Sequence, residues 1–160
     1  MLCQFLRTAV VAASVGGPAL IATGATACPD FNYTPHFGDI ALAAGFQPDP
    51  YELGVTAGGT QALENCGFNA TGFVTTRPDF RLFWNGTSSQ LTIYVEAAAD
   101  AVLLVNDPTG KDWFYSDDYR GTNPAITITN PLAGQYDIWI GSYDGSRRNP
   151  ARLGFTEFNY

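Results

Sequence analysis

Short apolar runs, broken at roughly eight-to-twelve-residue intervals by turn sequences, limit this chain to a small set of all-β architectures. The pattern is densest from Asp100 to Tyr143. There Val102–Val105, Ala125–Ile128 and Tyr136–Ile140 alternate with turns, and the aromatic run Trp113–Tyr115 lies between the first two. Further back, Asp79–Trp84 puts Phe80, Leu82 and Trp84 on one face and Asp79 and Arg81 on the other. Gln90–Ala97 repeats the alternation, with Leu91, Ile93 and Val95 inward. Ala101–Val105 is apolar on both parities, which predicts a central strand covered on both sides. Tyr51–Thr56 and Thr60–Cys66, separated by Gly58-Gly59, read as a hairpin. Asp112–Ser116, Ala125–Thr129, Gln135–Ser142 and Ala151–Phe158 complete the strands, while Pro29, Pro35, Pro48 and Pro50 make 28–50 an irregular lead-in with short extended pieces. No amphipathic helix of useful length occurs. The expected fold is an antiparallel β-sandwich of about eight to nine short strands, one domain over 28–160.

The first 27 residues differ in kind. Arg7 is their only charge, a small-residue apolar stretch follows, and Ala25-Thr26-Ala27 supplies a small-x-small cleavage pattern. This predicts a cleaved secretory signal peptide, not a transmembrane span, and export to the periplasm or medium. Removal of Cys3 with that segment leaves Cys28 and Cys66, and in an oxidising compartment the expectation is one disulfide. It would close a loop of about 39 residues and stabilise the fold by about 3–4 kcal/mol in the chain-entropy account. A cysteine directly after a cleavage site is also a position for lipid attachment. The residue three before it is Ala25, where a lipobox carries Leu, so the disulfide is the better reading.

Several function classes are disfavoured. A net charge of −7 offers nothing to neutralise nucleic-acid phosphates. The single histidine, His36, lies in the proline-rich lead-in, which argues against Ser-His-Asp and Cys-His catalysis. No Gly-x-Ser-x-Gly, His-Glu-x-x-His, dinucleotide or P-loop motif is present. A glycosidase-like carboxylate pair needs carboxyls about 5 to 9 Å apart, and acidic residues are too numerous for that to be informative. The expectation is a non-enzyme.

Two clusters invite a binding role. Asp107, Asp112, Asp117 and Asp118, with Asn106 and Asn123 nearby, lie on turns that read as neighbouring loops, and oxygen-rich loops can hold calcium. The simpler account is that Asp and Asn initiate turns by bonding their own backbone. Trp113, Tyr115 and Trp139 could form a platform for a sugar or peptide, or could be core; Trp84 reads as core. Arg147-Arg148 with Arg152 is the one basic patch, and reads as a solvated hairpin tip before an anion site.

The segment from Ala99 to Gly145 resembles small secreted alphaproteobacterial proteins, often labelled peptidase-like, related to the bacterial pre-peptidase C-terminal domain. The resemblance is carried by Leu103–Pro108, Gly110, Trp113, Asp117-Asp118, Asn130-Pro131, Gly134, Tyr136–Trp139, Gly141 and Tyr143. It covers about 45 residues well; the N-terminal half agrees only in outline, through Cys28 and the Gly-Gly turn leading to Cys66. The resemblance implies a jelly-roll-like sandwich, normally an appendage of secreted proteases that aids secretion, stability or substrate binding, with calcium bound in some relatives. The expected function is therefore an exported, non-catalytic binding or accessory module, with an unknown protein or polysaccharide partner. The alternatives are a calcium-dependent carbohydrate- or matrix-binding domain and, more remotely, a carboxylate-pair hydrolase.

Overall fold

The computed structural model describes residues 27–145 and 148–160, so all of the predicted signal peptide but its last residue, Ala27, lies outside the described residues. Among the described residues, eleven strands form two sheets. In chain order they are β1 (Asp39–Ala43), β2 (Tyr51–Ala57), β3 (Gln61–Ala62), β4 (Phe73–Val74), β5 (Phe80–Asn85), β6 (Gln90–Ala97), β7 (Ala101–Asn106), β8 (Trp113–Ser116), β9 (Ala125–Thr129), β10 (Gly134–Ser142) and β11 (Asn149–Thr156). The smaller sheet runs β2-β11-β6-β9. The larger is built on β10, which pairs with β7 on one side and with β5 and then β4 on the other. β1 extends it beyond β5, β8 beyond β7, and β3 beyond β4.

Alternation places the core. Leu82, Trp84, Leu103, Val105, Tyr136, Ile138 and Ile140 of the larger sheet face Leu91, Ile93, Val95, Leu153 and Phe155 of the smaller one. The other parity of β7 and β10 faces outward from the sandwich but not into solvent. Val102, Leu104 and Trp139 join Leu63 and Val74 in a second cluster, with Phe31, Phe68, Ala70, Trp113 and Tyr115 packed around it. β7 is accordingly buried at every residue, as its two-sided apolar pattern predicts. The cover is the segment before β5, fixed by the Cys28–Cys66 disulfide, whose Cα atoms lie 5.5 Å apart. That pairing removes the lipid-attachment alternative in this structure.

Three expectations are corrected. The expected antiparallel arrangement has one exception among the described residues: β1, a short extended piece of the lead-in, pairs with β5 in parallel. Tyr51–Thr56 and Thr60–Cys66 are not a hairpin, because β2 pairs with β11 in one sheet and β3 with β4 in the other. Gly58-Gly59 crosses between the sheets, and a side chain at Gly59 would lie 1.9 Å from the Val74 carbonyl carbon. Third, Leu63–Cys66 is a 3-10 turn that carries Cys66 back to Cys28.

The second core is covered on its outer side by this tethered segment together with Trp113 and Tyr115 of β8. Reduction of Cys28–Cys66 is expected to lower the unfolding free energy by about 3–4 kcal/mol and to increase the exposure of Trp139. Urea titrations followed by tryptophan emission, with and without reductant, measure both; unchanged emission at the folded baseline would show that the segment stays docked without its tether.

Candidate functional site

The four aspartates do not converge. Asp107 and Asp112 flank the β7–β8 turn, while Asp117 and Asp118 follow β8 at its far end, so the two loops are neighbours in sequence but lie at opposite ends of one strand. Asp107 is buried, and its Oδ1 accepts from the Thr109 N–H at 3.1 Å, the Thr109 hydroxyl at 2.7 Å and the Asp112 N–H at 3.3 Å. That carboxylate is occupied in shaping its own turn. Asp117 accepts from the Asp118 N–H and the Tyr115 hydroxyl. No group of three or more acidic, histidine or cysteine side chains able to hold a metal ion occurs among the described residues. Asp107→Ala is expected to cost about 1–3 kcal/mol, since it strands buried donors, and Asp118→Ala almost nothing. Millimolar calcium is expected to leave the melting temperature unchanged, whereas a bound ion at a hundred times its dissociation constant would add about 2.7 kcal/mol.

The aromatic platform is also relocated. Trp139 is wholly buried, with its indole N–H donating to the Thr76 carbonyl at 3.3 Å. Trp113 is half-buried against it at 5.2 Å between rings, flanked by Phe68 and Phe31. The Tyr115 hydroxyl is committed to the Thr71 carbonyl at 2.7 Å. These residues are the second core, and Trp139 has no surface to offer a ligand. Trp84 is core, as expected.

A cleft that the linear sequence does not single out forms where the larger sheet is interrupted. β4 and β5 lie end to end along the same side of β10, and Arg77-Pro78-Asp79 spans the break. Proline has no N–H to contribute to a ladder, which prevents one continuous strand there. The break leaves the N–H and C=O of Ile140 facing a gap. Gly58, at φ 126°, donates its N–H to the Ile140 carbonyl at 2.9 Å, and Oδ2 of Asp79 accepts the Ile140 N–H at 2.7 Å. A side chain thus completes the ladder in place of a strand.

Beside this patch the lead-in runs parallel to 78–85. The His36 N–H donates to the Pro78 carbonyl and the Phe37 N–H to the Asp79 carbonyl, each at 2.8 Å. Arg81 anchors the lead-in farther along: its Nε donates to Asp137 at 2.9 Å and its NH2 group to the carbonyls of Phe31 and Tyr33. The result is a cavity of about 60 Å³ lined by His36, Phe37, Thr56, Thr75, Asp79 and Arg148. It adjoins, through His36 and Thr75, an open cleft of about 270 Å³ that includes Tyr33, Thr60 and Arg77. Arg148 and Arg152 therefore do not act as one patch: Arg152 pairs with Glu52 and Glu96 on the outer face of the smaller sheet. Arg147 lies outside the described residues.

Asp79 is 2% exposed. Burial pushes its carboxyl up from an ordinary 3.8 to about 7, against the opposing pull of the Ile140 N–H and the Arg148 charge. His36 is pushed down, by burial first and then by Arg77 and Arg148. Near neutrality the cleft thus joins a half-protonated carboxyl, an uncharged imidazole and two guanidiniums. The raised carboxyl makes the native state bind a proton that the unfolded chain releases, so the Asp79 contribution is full below pH 3.8 and is lost as pH rises through about 7. Asp79→Asn is expected to match wild type near pH 4 and to exceed it in stability at pH 8. The difference between the two proteins isolates Asp79 from Asp100 and Asp137, which burial also raises. Denaturant midpoints at the two pH values test this, and equal wild-type and variant midpoints at pH 8 would contradict it.

No protein-family model matches the sequence, and no curated protein sequence does either. Among solved structures, the chain is similar to the pre-peptidase C-terminal domain of collagenase from Bacillus anthracis, at 13% identity and a TM-score of 0.47, covering 78% of this chain and 99% of that one. It is also similar to PliG of Aeromonas hydrophila, a periplasmic lysozyme inhibitor of g-type lysozyme, at 12% identity and a TM-score of 0.39, covering 74% and 96%. These are likenesses of fold, and neither assigns a role to the cleft.

Proposed function

We propose that this chain is an exported, non-catalytic β-sandwich acting as a binding or accessory module, and that it meets its partner at the cleft of His36, Arg77 and Arg148. One observation carries the reading. In a chain of net charge −7, two arginines with no carboxylate at salt-bridge distance among the described residues converge on one cleft, beside the half-exposed rings of Tyr33 and Phe37. Arginine and tyrosine are the side chains that contribute most at protein contact surfaces. The Arg77 guanidinium lies 5.9 Å from the Tyr33 ring centroid, which holds it over an aromatic face without neutralising it. The partner is accordingly an anionic protein or polysaccharide. A disulfide and the predicted signal sequence support export. No helix among the described residues is long and apolar enough to cross a membrane.

Binding to immobilised poly-L-glutamate and polygalacturonate tests the reading. Salt-sensitive binding to at least one polymer is expected, lost in Arg77→Ala/Arg148→Ala and kept in Arg152→Ala, because Arg152 is already paired on the other sheet. The bound polymer is expected to keep its length, whereas a hydrolase would shorten it. Failure to bind either polymer, or equal loss in the Arg152 variant, would sink the proposal.

A further inference from the structure

The cavity at the β4–β5 break has a lining of unusual polarity. Asp79 uses Oδ2 to accept the Ile140 N–H, so in the protonated carboxyl the proton resides on Oδ1, and Oδ1 has no hydrogen-bond partner among the described residues. The side chain is almost wholly buried and lines the cavity. Around it stand the Arg148 guanidinium and the Thr56 hydroxyl, both able to donate, while the Thr75 hydroxyl donates to the Arg77 carbonyl at 2.7 Å. A donor-rich cavity with one fixed positive charge suits an acceptor-only monoanion and repels a metal cation. Its volume of about 60 Å³ admits a planar group of a few atoms and no sugar ring.

We infer that this cavity binds a carboxylate, gripped between the Asp79 carboxyl as hydrogen-bond donor and the Arg148 guanidinium. The inference rests on the cleft being the contact surface and names the group that enters its floor. The carboxylate belongs to a free small organic acid or to an acidic side chain of a polypeptide, the rest of which would lie in the open cleft beside Tyr33 and Arg77. A hydrogen bond between a carboxyl and a carboxylate is charge-assisted and among the shorter kinds that proteins form.

A proton on Asp79 is then part of the complex, so affinity follows the protonation of that group. The other charged or titratable groups lining its cavity are His36 from the lead-in and Arg148 from the loop before β11, with Arg77 in the adjoining cleft. Burial and the two arginines push His36 down from its ordinary value, so its imidazole is uncharged above neutrality, where the loss of affinity is read.

Titration of the protein with sodium acetate, and separately with a blocked tripeptide carrying one central glutamate, followed by amide chemical shifts at pH 6 and pH 8, tests the inference. Acetate is expected to perturb Asp79, Ile140 and Arg148, with affinity falling by about tenfold per pH unit above about 7, as for one linked proton. Asp79→Asn offers a permanent donor while its carbonyl still accepts the Ile140 N–H, so it is expected to bind equally at both pH values. His36→Gln is expected to keep the wild-type slope, and Arg148→Ala to lose binding at both. Tighter binding of the tripeptide than of acetate identifies a polypeptide source, and equal binding a free acid; both support the site. Should Asp79→Asn prove too unstable, calorimetry of the wild type in two buffers of different ionisation enthalpy at pH 8 is expected to show uptake of nearly one proton. No perturbation by either probe, an unchanged wild-type affinity between the two pH values, or no proton uptake would overturn the carboxylate site. Binding to poly-L-glutamate that survived such a result would leave the broader reading of the cleft standing.

Discussion

The indole of Trp139 on the outer face of the larger sheet is what the N-terminal half of the fold is built to cover. A sandwich needs only one apolar face per sheet. Here Val102, Leu104 and Trp139 make β7 and β10 apolar on the second face as well, and that face must be hidden. The covering segment contributes few regular strands of its own. It is held by a covalent link at Cys28–Cys66, by the indole N–H on Thr76, and by Arg81, which ties Phe31 and Tyr33 to the Asp137 ion pair. Because the same segment carries Tyr33, His36 and Phe37, covering the tryptophan also assembles the cleft.

The smaller sheet meets the problem of its outer face differently. Tyr94 lies flat across Gly154, where a side chain would fall 2.1 Å from its ring, and Tyr160 stacks on it at 4.0 Å. Glu52, Glu96 and Arg152 bridge around the rings. This face is aromatic yet capped by charge, and no extra layer covers it. The two outer faces thus show two solutions to an apolar strand surface, and only the one that uses a chain segment leaves a concave site.

How much of this was legible in the sequence depended on the range of the interaction. Strands with strict alternation, such as Phe80–Asn85 and Gln90–Ala97, and the two-sided β7, could be read because their signal is local. The disulfide followed from counting cysteines. The expected hairpin failed because a Gly-Gly pair signals a change of direction but not which sheet the next strand joins. β1 was hidden by the prolines around it, and its parallel partner is some forty residues away. The site was the least legible part. Asp107 and Asp117 are dense in sequence, yet Asp107 serves its own turn. Asp79, His36 and Arg148 are far apart in the chain, and only a sheet pairing brings them together. The one available signal was Pro78 inside an apparent strand approach, with an acid directly after it.

The break between β4 and β5 also restricts what evolution or an engineer can do at position 79. In most sandwiches the residues that recognise ligands sit on loops at the rim, where they can be exchanged without disturbing the sheets. Here a single side chain both closes the backbone ladder at Ile140 and faces the cavity. Specificity at this site therefore cannot drift independently of folding. The tolerated set at position 79 shrinks to side chains of one length with an acceptor to give the sheet, and diversification is diverted to the flanking positions 36, 77 and 148, where the lattice of strands places no demand.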